Sequence, residues 1–119
     1  MSGYRVAHWA DDLKYLTLVT PRVTIGAMIV SFASKETERL AGGQRVRKFT
    51  SIELIARRKL RQLDIAGRLD DLRVPPGNRL EALKGSRKGQ MSIRINDQWR
   101  VCFRWTSAGP TDVEIVDYH

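Results

Sequence analysis

The stretch Met91-Ser92-Ile93-Arg94-Ile95-Asn96-Asp97-Gln98-Trp99-Arg100-Val101-Cys102-Phe103-Arg104-Trp105 decides the fold. Trp99, Val101, Phe103 and Trp105 alternate with Arg100, Cys102 and Arg104, the cleanest period-two run in the chain. That is the period of a strand with one dry face. Met91, Ile93 and Ile95 repeat it on one side, with Ser92 and Arg94 on the other. Asn96-Asp97 between the two runs reads as a short hairpin turn. Two antiparallel strands then send their apolar residues toward one core and leave Arg94, Arg100 and Arg104 on the opposite face.

Working outward, Ser107 to Pro110 reads as a further turn, and Val113 with Ile115 starts a last strand. Upstream, Leu80, Ala82 and Lys84 alternate with Glu81, Leu83 and Gly85, and Gly85-Ser86-Arg87-Lys88-Gly89 reads as a turn. Pro75-Pro76-Gly77-Asn78 is a loop, since paired prolines cannot continue a helix. Before it, Thr50-Ser51-Ile52-Glu53 fits a capping box. Ile52, Ala56, Leu60 and Leu63 follow at helical spacing, with Ile55 widening the stripe and Gly67 as terminator. Arg57, Arg58, Lys59 and Arg61 read as the wet side of that helix. Ser34 offers a cap for an earlier helix, kept brief by Gly42-Gly43, and Met28 to Phe32 reads as a short strand. Helices first and a hairpin-linked sheet afterwards define an α+β domain. Two N-terminal helices are expected on one face of a curled, mainly antiparallel sheet of four to five strands.

A chain of 119 residues with 42% hydrophobic content suits one domain with a real core. Lys and Arg number 21 against 13 Asp and Glu, a formal net charge of +8, which points to a polyanionic partner. Cys102 is the single cysteine, so neither an intrachain disulfide nor a Cys-rich metal site is expected. With only His8 and His119 as imidazoles, no multi-histidine centre is expected either, and no cofactor. The most apolar stretch, Tyr15 to Phe32, is broken by Pro21 and Arg22, short of the about 18 apolar residues of a membrane span. With Asp11, Asp12 and Lys14 in place of a signal sequence, a cytoplasmic location is expected.

The cations and the C-terminus carry the candidate chemistry. Arg94, Arg100 and Arg104 share a sheet face, and Lys84, Arg87 and Lys88 flank it from the adjacent turn, a lining suited to a phosphate backbone. The chain ends Asp117-Tyr118-His119. RNA transesterification needs a base for the ribose 2′-hydroxyl, cations for the phosphorane charge and a donor for the departing 5′-oxygen. A histidine can serve as acid or base near neutrality, and a tyrosine can stack on an unpaired base. Cys102 lies on the Arg100 face by parity and reads as a small strand residue.

Several motifs, in this order and spacing, resemble one family. They are Val74-Pro75-Pro76-Gly77-Asn78-Arg79-Leu80, Leu83-Lys84-Gly85 with Arg87-Lys88-Gly89, Ser92-Ile93-Arg94-Ile95-Asn96, Trp99-Arg100-Val101-Cys102-Phe103 and the terminal Asp117-Tyr118-His119. From residue 28 to residue 119 the chain resembles the HigB-type killer toxins of the RelE/ParE toxin superfamily. Residues 1–27 precede the match and lack a clean period, so a misassigned start or a loosely attached extension is expected there.

The resemblance implies a metal-independent toxin of a type II toxin–antitoxin pair that cleaves mRNA on translating ribosomes. It also implies neutralisation by a HigA-like helix-turn-helix antitoxin, in a symmetric toxin–antitoxin hetero-oligomer. Carried over by position, Lys84 and Arg100 match residues that handle the scissile phosphate, and Asp117, Tyr118 and His119 match the terminal catalytic group. Arg87, Lys88, Arg94 and Arg104 are the expected RNA-binding cations. Some relatives place a catalytic histidine two residues before the Leu-Lys-Gly element, where this chain has Leu83-Lys84-Gly85, and Glu81 stands there instead. Glu81 is therefore either the replacement for that histidine or an exposed strand residue. Two other classes stay open: a gyrase-inhibiting toxin of the same superfamily without nuclease chemistry, and a non-catalytic RNA- or ribosome-binding module.

Overall fold

A computed structural model describes residues 28–118. Ser34 caps the first described helix, α1 (Lys35–Ala41), by accepting from the Thr37 backbone N–H at 3.0 Å. Glu36 and Glu38 fill the first turn, where the helix dipole favours negative charge. The helix stops at Gly42-Gly43, and Gly43 adopts a left-handed φ of 96°. The second helix, α2 (Glu53–Ile65), grows out of a 3-10 segment, Arg47–Ile52. The capping box at Thr50 is therefore absent: the Thr50 hydroxyl donates to the Arg47 carbonyl, and Glu53 pairs with Arg57. The preceding 3-10 turn leads directly into α2, so no residue there has the extended backbone an N-cap needs.

Ala56, Leu60 and Leu63 of α2 are buried, with Ile52 just before it, whereas Ile55 stays outside the stripe at 41% exposure. The helix ends at Ile65, two residues before Gly67, because buried Ala66 turns extended. The polar side of α2 also departs from a wet face. Arg57 is half-buried and donates to the Leu40 and Gln44 carbonyls, tying α2 to the end of α1. Lys59 reaches back to Asn78, and burial, with Arg58 beside it, pulls its ammonium below the usual lysine range.

Among the described residues the sheet has four strands, β1 (Glu81–Ala82), β2 (Met91–Arg94), β3 (Trp99–Thr106) and β4 (Gly109–Asp117), in that order and antiparallel throughout. β1 is shorter than the alternation suggests, because Gly85, with a φ of 65°, starts a 3-10 turn that carries Arg87 back toward β2. The β2–β3 connection is wider than a two-residue turn. Asn96 Oδ1 accepts from the Gln98 and Trp99 backbone N–H groups, so the asparagine closes the loop with its side chain. β4 begins two residues after β3 and carries one extra residue at Asp112, whose φ is 51°. Such a bulge sharpens the local twist.

Residues 28–34 do not form the expected strand among the described residues. This segment lies along the outer edge of β4 with one parallel bridge, Phe32 to Val113, and Val30 donates to the Pro110 carbonyl. Thr37 completes that edge: its buried hydroxyl oxygen accepts from the Ile115 backbone N–H at 3.0 Å. The core lies between the helices and one sheet face, built from Leu40, Phe49, Leu60, Leu63, Ile93, Val101, Phe103 and Val113 with their neighbours. Phe49 meets Trp99 edge-on with ring centroids 5.6 Å apart. Each fully buried side chain of this size contributes about 1.5–3 kcal/mol.

Among the described residues, no helix is long and apolar enough to cross a membrane.

Candidate functional site

The alternation that buries Val101 and Phe103 sends Arg100, Cys102 and Arg104 to the other face of the sheet. The strand register fixes their neighbours. Cys102 lies between Ser92 of β2 and Glu114 of β4, Ser92 lies beside Glu81 of β1, and Arg100 lies between Arg94 and Val116. Glu81, Ser92, Arg94, Arg100 and Glu114 therefore share one surface.

Arg100 is its centre. Its side chain is only 11% exposed, and among the described residues three groups hold its guanidinium. One terminal nitrogen donates to the Ser92 hydroxyl at 2.8 Å and forms an ion pair with Glu81 Oε1 at 2.9 Å. The guanidinium carbon sits 4.8 Å from the centre of the Tyr118 ring, within cation–π range. Ser92 is fully buried, so its end of the contact is fixed, whereas the Glu81 side chain is 47% exposed. Tyr118 follows β4 directly, and its backbone N–H donates to the Gln98 carbonyl, which anchors the chain end beside the β2–β3 loop.

The remaining cations of the face are also matched by carboxylates. Arg87 lies 3.6 Å from Glu114, Arg94 pairs with Asp97, and Arg104 lies 3.8 Å from Asp112 on the bulge. The face is thus a set of Arg–carboxylate pairs, not an uninterrupted cationic lining. Lys84 and Lys88 flank it from the 3-10 turn and are exposed.

Of the residues expected to act together, Arg100, Glu81 and Tyr118 meet directly. Asp117 has the opposite parity to Tyr118, stands across from Trp99 and accepts from the Gln98 side chain at 3.0 Å. His119 lies outside the described residues, as do His8 and the 1–27 segment. Ser92 is the contact that sequence reasoning did not single out. Its only signal was its shared parity with Arg94.

Cys102 lies beneath this surface, fully buried. Burial pushes its thiol up, with Arg87 opposing that shift, Glu114 adding to it and Arg100 opposing it. Such a thiol is a packing residue, not a nucleophile. Among the described residues, no group of three or more His, Cys, Asp or Glu side chains is arranged to hold a metal ion.

Comparison with known proteins bears on this geometry. Residues 31–119 match the family described as the RelE-like toxin of type II toxin–antitoxin system HigB. The chain belongs to the HigB-like toxin family. It is also similar to the toxin HigB-1 of Vibrio cholerae serotype O1, with 54% identity over 56 residues. That alignment spans 47% of this chain and 59% of the V. cholerae toxin, so the chain matches well under two thirds of that relative's length. The family match covers every described element of the fold, from the β4-edge segment through the sheet that carries Arg100.

Proposed function

We propose that this HigB-like chain is a ribosome-dependent mRNA endoribonuclease that arrests translation in the cytoplasm. The observation that carries the reading is Arg100: a nearly buried guanidinium held by Ser92 and stacked on Tyr118, at the chain end that supplies His119. A preorganised cation in a partly dry site acts most strongly where charge develops, and phosphoryl transfer develops it on the equatorial oxygens.

In this reading the ribose 2′-oxygen attacks the adjacent phosphorus and the bond to the 5′-oxygen breaks. The products are a 2′,3′-cyclic phosphate and a 5′-hydroxyl. Arg100 and Lys84 stabilise the phosphorane charge. His119 transfers the proton, an imidazole being suited to both directions near neutral pH. Tyr118 positions the nucleotide while keeping Arg100 in place, and Asp117 fixes the chain end through Gln98. Arg87, Lys88, Arg94 and Arg104 engage flanking phosphates, each arginine exchanging its carboxylate partner for the backbone of the RNA. A toxin of this class is held inactive by an antitoxin, here a HigA-like helix-turn-helix protein in a symmetric hetero-oligomer.

Mapping transcript 5′ ends after brief induction tests the reading. New ends inside translated frames, absent from cells expressing Arg100→Ala, support it. Growth arrest with transcripts intact overturns it in favour of a gyrase-inhibiting or purely ribosome-binding toxin.

A further inference from the structure

The three partners of Arg100 are not equivalent. Ser92 is fully buried within β2, and Tyr118 is tied through its backbone to Gln98. Glu81 sits on the edge strand β1, which is two residues long, and its side chain is half in solvent. Tyr118 also lies outside the core at 39% exposure, but Glu81 is the anionic partner among the described residues and can leave without disturbing the core. It also carries the same single negative charge as a phosphodiester and presents its oxygen to the same guanidinium nitrogen.

We infer that Glu81 is an internal anion that occupies Arg100 in the free toxin and exchanges places with the substrate phosphodiester. This rests on the reading of Arg100 as the phosphate site. Ser92 and Tyr118 hold the guanidinium in position throughout, so the exchange replaces one oxygen acceptor by another and needs no rebuilding of Arg100. Each binding event must displace the carboxylate, so Glu81 lowers the apparent affinity for any single-stranded RNA that presents a phosphate alone. Ligands with additional contacts overcome that competition. The carboxylate therefore sets a threshold: every phosphate ligand loses the same factor, so RNA that lacks the surrounding contacts falls below occupancy while a ribosome-held transcript stays bound, and the carboxylate is not the general base that a missing histidine would otherwise require.

The two roles predict opposite results for Glu81→Gln, which keeps the shape and removes the charge. The measurement is binding of a short 2′-O-methylated RNA, which cannot cleave, to the full chain, together with single-turnover cleavage of the matching ribo-oligonucleotide on programmed ribosomes. Competition predicts about five- to tenfold tighter binding of the free RNA, with ribosomal cleavage undiminished. Glu81→Ala should move binding in the same direction. The gain should vanish when Arg100→Ala is added, as two groups acting through one contact require. Unchanged or weaker binding by both Glu81 variants, while Arg100→Ala still weakens it, overturns the exchange and leaves the phosphate site standing. A cleavage loss of about 10² or more with binding unchanged overturns it in favour of a base. If Arg100→Ala leaves RNA binding unaltered, the phosphate site itself is wrong and the exchange falls with it.

Discussion

At the residue scale, two side chains one position apart in their strand period show what burial decides. Arg100 and Cys102 share a face, yet Arg100 reaches its edge and finds partners, whereas Cys102 lies under the Arg87–Glu114 pair. The thiol should resist modification by a thiol reagent in the native protein and react only at the rate of unfolding, which a labelling time course against urea concentration measures. Its folded titration lies above the ordinary thiol value of 9.0. The associated stability is fully present below that value and is lost as pH rises through the folded one. The stability difference between the wild type and Cys102→Ala should therefore shrink in urea melts above pH 9.0 compared with those below it. That Arg100 and Cys102 share a face was legible from parity alone. That Arg100 would meet Glu81 and Ser92 was not, because those contacts depend on the β1–β2–β3 register, which no single strand encodes.

At the element scale, the loop between α2 and β1 is held by a buried amide. Asn78 donates to Gln62 Oε1 and the Leu72 carbonyl, both at 3.0 Å, and accepts from Lys59 Nζ. Asn78→Ala would strip a buried carbonyl of its donor and leave a half-buried ammonium without its acceptor. A loss of about 2–3 kcal/mol is expected in chemical denaturation, against well under 1 kcal/mol for the exposed neighbour Arg79→Ala. The sequence marked this loop by its prolines but concealed the hub, since its partners lie up to 19 residues away. The helices were legible where a local signal sufficed, as with Ser34 and Gly42-Gly43. They were misread where a 3-10 turn took over, because Thr50 and Glu53 fit a capping motif whose backbone never extends. The strands followed the same rule. β3 follows its alternation throughout, while the Leu80 to Gly85 alternation yields two paired residues before Gly85 turns the chain.

At the scale of the whole molecule, the described residues close a core that runs from Ile29 to Ile115. A chain beginning at Met28 should unfold at the same denaturant midpoint as the full chain. A loss of several kcal/mol would show that residues 1–27 pack into that core. The excess of 21 basic over 13 acidic residues was legible from composition, but its distribution was not. Carboxylates from β1, the β2–β3 loop and β4 neutralise the arginines of the outer face pair by pair; Arg94–Asp97 is local, but the other pairs join residues that only the assembled sheet brings together. The most direct measurement is single-turnover cleavage of mRNA on programmed ribosomes by Arg100→Ala, with ribosome binding measured in parallel. A guanidinium that stabilises the transition state predicts a loss of about 10²–10³ in rate with ribosome binding retained; cleavage at the wild-type rate would contradict it.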